Sequence, residues 1–354
     1  MLEFRTQGFN GYSVKYSPFF DSRIAVAASA NFGLRNGMRS SQTTSPRLHP
    51  INLFFRFDTQ DSLYDLAWSE AHESQVLCAS GDGSIKLFDL SLSDFPIASW
   101  QEHAREVFSV HWNLLTKTTF LSSSWDGTIK IWDPSSSSSL TTLPTHSCTY
   151  SASFSPHNPS VLSAVSSDSH LRVFDLRTPA SASNHLTLSI PIHTPPKPRM
   201  GVPAPVGIPP AEALTHDWNK YRDSVLAVGG VDRAIRTFDL RSPGAGPVAV
   251  LPGHEYAVRR LAWSPHLSDV LLSASYDMTC RVWTDGSAVG VKGGGEEVAD
   301  PMAFGGGREM GRMGRHTEFV TGVDWCLFGA EGWCASCGWD ERVLVWDVRA
   351  VMGG

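Results

Sequence analysis

The sequence is short of charge, of cysteine and of long hydrophobic runs, and each shortage excludes a class of protein. Charged residues make up 18 % of the 354 residues against 42 % hydrophobic residues, which argues against a disordered chain. The 29 Lys and Arg are outnumbered by 35 Asp and Glu, so no positive field favours nucleic acid as a partner. No run approaches about 18 consecutive apolar residues, so we expect no membrane-spanning helix.

The six cysteines are few for this length, which indicates a reduced, intracellular protein rather than a disulfide scaffold. The first residues, MLEFRTQGFNGYS, lack the hydrophobic core of a signal peptide, and the final AVMGG carries no recognisable targeting signal. What is abundant is 12 Trp, 30 Gly and 22 Pro. Many aromatic residues among many chain breakers predict numerous short strands joined by tight turns.

An internal repeat organises the chain. Six times an aspartate is followed six residues later by an aromatic residue: Asp82 and Phe88, Asp126 and Trp132, Asp168 and Phe174, Asp232 and Phe238, Asp277 and Trp283, Asp340 and Trp346. Successive aspartates are 44, 42, 64, 45 and 63 residues apart. Three spacings match a propeller blade of about 40–45 residues, and the other two match one blade plus about 20 inserted residues.

One repeat unit, residues 103–133, shows how such a blade is built. We predict a first strand over Val107–Trp112, a second over Thr119–Ser124 and a third over Thr128–Trp132, with WDG as the hairpin turn. A small sheet of this kind is apolar on both faces, so it needs a neighbour on each side. The pattern therefore has to repeat.

His, Ser, Asp and Trp recur in register in three of the units: His103, Ser122, Asp126 and Trp132; His254, Ser273, Asp277 and Trp283; His316, Ser336, Asp340 and Trp346. These sets resemble hydrolytic triads, but three active sites in one ring are implausible. A hydrogen-bonded tie within each blade explains them better, at about 1 kcal/mol per bond. The sets are also incomplete elsewhere: Ala164 replaces Ser beside His146 and Asp168, and the units around Asp82 and Asp232 lack the histidine.

These motifs resemble those of WD-repeat proteins, which implies an all-β, seven-bladed WD-repeat β-propeller in one domain, 1–354. Six repeats are explicit over about 58–347, and residues 11–57 form a degenerate first blade. The last blade ends after its third strand, so we expect Leu2–Thr6 to supply the fourth and close the ring. The Pro-rich segment 191–210, with eight prolines, and the Gly-rich segment 286–315, with ten glycines, are expected to be removable loop insertions.

The sequence contains only weak motifs for metal, redox or nucleotide sites. Cys334 and Cys337 form a C-x-x-C with Cys326 nearby, but strand residues three apart point to opposite faces, so we interpret them as core residues. The glycine-rich GVKGGGEEV lacks the flanking strand and helix of a phosphate-binding loop. We therefore expect no metal, no cofactor and no enzymatic activity.

One end of the ring should carry the function. The loops leading into the first strands and the hairpins between second and third strands emerge at the same end. The lead-in loops carry Asp61, Glu106, Glu212, Glu255 and Glu318, and the positions before the turn aspartates carry Trp125, Tyr276 and Trp339. Acidic groups around large aromatics suit a ligand with cationic and apolar side chains. The alternative is that these are ordinary solvated loops and packed rings.

A more specific resemblance lies in AVAASANFGLRNG and EHAREVFSVHWN, which are similar to the receptor family for the N-terminal type-2 peroxisomal targeting signal. The resemblance implies a non-enzymatic receptor in the cytoplasm that shuttles to the peroxisomal matrix. It also implies a basic, amphipathic signal helix on thiolase-like cargo, and a co-receptor that docks at the peroxisomal membrane. The alternatives are a generic WD-repeat scaffold, such as a ubiquitin-ligase or chromatin adaptor, and hydrolysis by one His–Ser–Asp set.

Overall fold

The computed structural model describes most of the chain, with the backbone alone at 35–42 and 52–54. The described ranges are 1–30, 35–42, 52–92, 95–180, 184–193, 210–287, 306–329 and 331–352. Residues 31–34 of the motif AVAASANFGLRNG and most of both predicted insertions lie outside them. Within these ranges no helix is long and apolar enough to cross a membrane.

The described residues form seven four-stranded antiparallel sheets. The first contains β2 (Asn10–Tyr16), β3 (Arg23–Ala30), β4 (Arg35–Gln42) and β5 (Asn52–Thr59). The second contains β6 (Leu63–Trp68), β7 (Gln75–Ser80), β8 (Ile85–Asp89) and β9 (Ala98–Trp100). The third contains β10 (Val107–Trp112), β11 (Phe120–Ser124), β12 (Thr128–Trp132) and β13 (Thr141–Pro144). The fourth contains β14 (Thr149–Phe154), β15 (Val161–Ser166), β16 (His170–Asp175) and β17 (Leu186–Pro191).

The remaining three sheets follow the same order along the chain. The fifth contains β18 (Ala213–Trp218), β19 (Val225–Gly230), β20 (Ile235–Asp239) and β21 (Ala249–Leu251). The sixth contains β22 (Val258–Trp263), β23 (Val270–Ser275), β24 (Cys280–Thr284) and β25 (Arg308–Met313). The seventh contains β26 (Val320–Trp325), β27 (Trp333–Gly338), β28 (Arg342–Asp347) and β1 (Leu2–Arg5). Two short 3₁₀ turns, Pro243–Ala245 and Val348–Ala350, complete the described elements.

The hydrophobic core lies between neighbouring sheets, as the two apolar faces of each unit require. One cluster joins the sixth and seventh sheets through Val282, Trp325 and Cys334, and another joins the seventh and first through Val14 and Val343. The innermost strands also lie side by side in chain order, and β26 of the seventh sheet packs beside β2 of the first. The prediction of an all-β WD-repeat propeller is confirmed, and the three strands predicted within 103–133 form as β10, β11 and β12.

The N-terminal segment lies on the outer edge of the seventh sheet. Strand β1 pairs antiparallel with β28, from Leu2 opposite Val345 to Arg5 opposite Arg342. Beyond the strand, the Thr6 amide donates to the Glu341 carbonyl oxygen at 2.8 Å. Leu2 and Phe4 pack against the cluster between the seventh and first sheets.

The boundaries predicted for the two insertions are wrong at one end each. Arg308–Met313, inside the predicted Gly-rich segment 286–315, is the fourth strand of the sixth sheet and buries Met313 to 4 % exposure. Pro191 ends β17, inside the predicted Pro-rich segment 191–210, and Ile192 is buried. REMGRM has no β-branched residue and follows a run of glycines, and LTLSIP runs into prolines, so ladder pairing outweighs local propensity in both strands.

Candidate functional site

The three His–Ser–Asp–Trp sets are closed networks of buried side chains. His103 Nδ1 lies 2.8 Å from Asp126 Oδ2, its Nε2 lies 2.8 Å from Ser122 Oγ, and Trp132 Nε1 donates to the same Oγ at 2.8 Å. The sets of His254 and His316 repeat this arrangement with distances of 2.6–3.3 Å. Each serine hydroxyl is fully occupied and 0 % exposed, so it is placed as a structural tie and not as a nucleophile.

The serine and the tryptophan occur together for a physical reason. The residue four before the turn aspartate is serine in the three units that end in tryptophan, namely Ser122, Ser273 and Ser336. It is Cys78, Ala164 or Val228 in the three units with phenylalanine at that place. The buried indole N–H needs an acceptor and the phenyl ring does not.

In the units with phenylalanine a basic side chain on the third strand binds the turn aspartate, a contact that Arg281 repeats beside the histidine in the unit of Asp277. Lys86, Arg172 and Arg236 each lie four residues after the aspartate and bond its carboxylate, with Lys86 Nζ 3.0 Å from Asp82 Oδ2. Burial alone would raise the pKa of Asp82, but hydrogen bonds from Ser84 and Lys86 outweigh it and lower that pKa to about 2. The D-x-x-x-K/R spacing was visible in the sequence and was missed.

Two expectations for the histidines are wrong. His146 is exposed and makes no hydrogen bond to Asp168 in the described structure, where Arg172 and Ser166 bind that carboxylate instead. The unit of Asp232 does have a histidine: His193 Nε2 lies 2.9 Å from Asp232 Oδ2, and its Nδ1 lies 2.6 Å from Ser169 Oγ. His193 escaped notice because it stands inside the predicted Pro-rich segment 191–210, 39 residues from its partner.

The C-x-x-C is divided between two faces of β27. Cys334 packs between the sixth and seventh sheets and Cys337 between the seventh and first, and both are 0 % exposed. Burial raises the pKa of the Cys337 thiol to about 12 and that of Cys334 well above its usual value. The described residues contain no cluster of His, Cys, Asp or Glu suited to a metal ion.

A β-bulge near the start of every innermost strand shapes one end of the ring. The pairing register shifts around one residue in each of these strands, which takes that residue out of the regular alternation of the strand. We call this end the mouth. The seven bulge residues are Tyr12, Tyr64, Phe108, Tyr150, Leu214, Arg259 and Thr321.

An aromatic belt crosses the mouth through consecutive ring contacts with centroids 4.6–6.0 Å apart. Phe108 is stacked between Tyr64 and Trp125, at 4.6 Å from each. The belt consists of Tyr276, Phe319, Trp339, Tyr12, Tyr64, Phe108, Trp125 and Tyr150. The structure therefore joins the three aromatics singled out in the sequence, Trp125, Tyr276 and Trp339. Sequence reasoning missed the bulge aromatics, because alternation along a strand does not reveal a bulge.

Three of the five candidate carboxylates lie against this belt. Glu212 Oε2 accepts a hydrogen bond from the Tyr150 hydroxyl at 3.0 Å. Burial first, and then the charges of Asp61 and Glu106, raise the pKa of Tyr64. The Glu106 carbonyl oxygen accepts from the Trp125 amide at 3.1 Å, which fixes the lead-in loop to the hairpin turn. Negative charge thus borders the apolar rings on one side of the mouth.

Glu255 and Glu318 occupy the matching lead-in loops of the sixth and seventh sheets, where both are exposed. The Glu255 amide donates to Asp277 Oδ2 at 3.1 Å, so its backbone belongs to the tie in that blade. Neither carboxylate has a hydrogen bond or ion pair in the described part of the chain. The structure therefore groups Asp61, Glu106 and Glu212 and leaves these two at the rim.

The opposite end of the channel holds a cavity of about 210 Å³ whose charges are paired within the protein. Asp65 accepts from Arg260, Lys15 Nζ lies 3.3 Å from Asp324 Oδ1, and Lys220 bonds Asp217 at 2.8 Å. These groups cancel one another. At the mouth, Glu106 has a longer ion pair with Arg105, at 3.6 Å, and Glu212 is bonded to the neutral Tyr150 hydroxyl.

The comparisons with known proteins identify the family of this chain. The WD domain, G-beta repeat family matches at 95–133, 137–175, 245–284 and 307–347, so the chain is a WD-repeat β-propeller. It is 40 % identical to the peroxisomal targeting signal 2 receptor of Saccharomyces cerevisiae, over 98 % of this chain and 99 % of the relative. It is 40 % identical to peroxisome biogenesis protein 7 of Arabidopsis thaliana, over 96 % and 95 % of the two chains. The human peroxisomal targeting signal 2 receptor is 34 % identical over 79 % and 80 %. The chain belongs to the peroxisomal targeting signal 2 receptor family.

Proposed function

We propose that this protein is an import receptor that binds the N-terminal type-2 targeting signal of peroxisomal matrix proteins at the mouth. It carries thiolase-like cargo from the cytosol to the peroxisome together with a co-receptor and the docking complex. The names of its relatives support this role, and the observation that carries it here is the placement of Asp61, Glu106 and Glu212 against the aromatic belt.

A basic, amphipathic helix fits these two features together. Its cationic side chain approaches the carboxylates of the lead-in loops, and its apolar face lies on the rings of the belt. Aromatic faces also attract a cation within about 6 Å, and Arg105 already lies 5.5 Å from the Trp125 ring. A cationic side chain of the ligand can therefore replace Arg105 at the Trp125 ring.

Ring closure contributes to this function by fixing the mouth. We propose that the seven sheets are seven blades of a single domain, 1–354, and that β1 closes the ring on β28. A site assembled from lead-in loops of different sheets keeps its geometry only while those sheets hold their places. Closure also removes two open sheet edges.

Glu106 provides the sharpest test. A hydrogen bond to a charged group contributes about 1.5–3 kcal/mol, which corresponds to a 10- to 150-fold change in affinity. Glu106→Lys should therefore weaken binding of a type-2 signal peptide by about this factor or more. Trp125→Ala should weaken it as well, because the belt loses a stacked ring. Fluorescence anisotropy with the peptide and with its Arg-to-Asp variant measures both effects, and thermal melting confirms that each variant folds.

The matched control is Glu331→Lys, which makes the same charge change at an exposed position between β26 and β27, at the other end of the ring. We expect this variant to bind like the wild type. Wild-type affinity in both Glu106→Lys and Trp125→Ala would move the site away from the mouth. Equal binding of the peptide and its Arg-to-Asp variant would refute the receptor function.

A further inference from the structure

Arg259 is the one charged residue among the seven bulge positions that shape the mouth. Its bulge interrupts the pairing of β22 with β23 between Val258 and Arg260. The equivalent positions in the first, second and fourth sheets carry Tyr12, Tyr64 and Tyr150. The same register shift takes Arg259 out of the regular alternation of its strand.

Arg259 is buried without a partner. It is 8 % exposed, and no hydrogen bond or ion pair joins its guanidinium group to any described residue. The adjacent Arg260 bonds Asp65 and Ser13 Oγ, and Arg281, at 1 % exposure, bonds Glu309 and Asp277. The exposure that remains includes its guanidinium nitrogens, so these donors stay free for a ligand, and no ion pair within the described protein explains the residue.

The Arg259 charge acts on rings from three sheets. Burial raises the pKa of Tyr12 to about 12, and the Arg259 charge opposes that rise. It opposes the rise in the pKa of Tyr64 and of Tyr150 in the same way. The Arg259 charge, anchored in the sixth sheet, is therefore within electrostatic range of tyrosines of the first, second and fourth sheets.

We propose that Arg259 is a specificity-determining residue that donates hydrogen bonds to an uncharged acceptor on the bound ligand. The acceptor is either an uncharged side-chain group or a backbone carbonyl oxygen. Asp61, Glu106 and Glu212 disfavour an anion in the same mouth, and Arg259 itself disfavours a cation beside it. The inference rests on the proposed function, because it describes how a peptide ligand is oriented, with its basic side chain at the carboxylates and its acceptor at Arg259.

The test compares Arg259→Met and Arg259→Lys with a control, Arg308→Met, which removes an exposed charge from the start of β25, at the end of the sixth sheet away from the mouth. We expect Arg259→Met to weaken binding of a type-2 signal peptide roughly 10- to 150-fold while its melting temperature stays level or rises. Lysine keeps the positive charge but lacks the planar guanidinium group, so Arg259→Lys should show an intermediate loss. Arg308→Met should bind within about threefold of the wild type, as expected for an exposed charge.

Several results would overturn the assignment. Wild-type affinity in Arg259→Met refutes it and leaves the proposed function intact. A lowered melting temperature that fully accounts for the lost binding assigns Arg259 to the fold. Failure of the wild-type protein to bind any type-2 signal peptide refutes the proposed function, and this inference with it.

A second series of peptides identifies the acceptor. Each side chain of the signal that can accept a hydrogen bond is replaced by leucine in turn, and each peptide is measured against the wild type and Arg259→Met. Loss of the Arg259 dependence at one position identifies a side-chain acceptor. If the binding of every peptide still depends on Arg259, the acceptor is a backbone carbonyl oxygen. Tighter binding by a peptide with glutamate at any of these positions would contradict an uncharged acceptor.

Discussion

Ser273→Ala should be among the most damaging single-atom deletions in the protein. Ser273 Oγ is 0 % exposed and has two partners, His254 Nε2 at 2.6 Å and Trp283 Nε1 at 2.8 Å. The substitution leaves both ring nitrogens buried without this partner. Each unpaired buried group costs about 1–3 kcal/mol, so we expect a loss of about 2–5 kcal/mol in the free energy of unfolding.

The matched control comes from the chain itself, because the fourth sheet combines Ala164 with Phe174 at the equivalent places. The double variant Ser273→Ala, Trp283→Phe removes the indole donor along with its acceptor. It should recover part of the loss, with a favourable coupling of about 1 kcal/mol or more in a double-mutant cycle. Urea unfolding of the wild type, both single variants and the double variant measures this coupling. Additive effects would refute the explanation that serine and tryptophan occur together because one bonds the other.

Three further predictions concern the whole fold. Deleting residues 1–8 should lower the melting temperature of the entire protein, since β1 pairs along its full length with β28; an unchanged value would contradict ring closure. Burial lowers the pKa of His216 to about 4, so the unfolded state binds more protons between pH 4 and about 6.5. His216 should therefore lower the free energy of unfolding by up to about 3 kcal/mol as the pH drops through that window, and His216→Gln should remove this contribution in urea titrations; the contribution of His111, whose pKa burial lowers to about 3, should remain. Replacing 194–209 and 288–305 with short Gly/Ser links should leave soluble expression and melting unchanged, because these compositions cannot build a core; loss of folding would contradict this.

The strands and turns of each blade could be predicted from the sequence because the residues that specify them lie within one repeat unit. The alternation in Val107–Trp112 and the turn signal after Ser124 define strands and a hairpin without any tertiary information. Arg308–Met313 could not be predicted, since REMGRM has no β-branched residue and becomes a strand only through its pairing with β24.

The candidate site was predicted only in part, for a related reason. The carboxylates of the lead-in loops stand one to three residues before the first strands, and Trp125 stands directly before a turn aspartate, so the sequence places them at one end. The roles of Tyr64 and Arg259 depend on bulges that break the strand alternation, and a bulge is a property of the pairing rather than of one strand. His193 was missed because its partner Asp232 is brought to it across the Pro-rich stretch.

Import of a reporter that carries a type-2 targeting signal tests the receptor function most directly. In cells lacking this protein, we expect the reporter to stay in the cytosol. The wild-type chain should restore its import into peroxisomes, and Glu106→Lys expressed at the same level should not. A reporter with an unrelated peroxisomal signal should enter normally and shows that the peroxisomes are intact. Normal import of the type-2 reporter in the absence of this protein would contradict the receptor function.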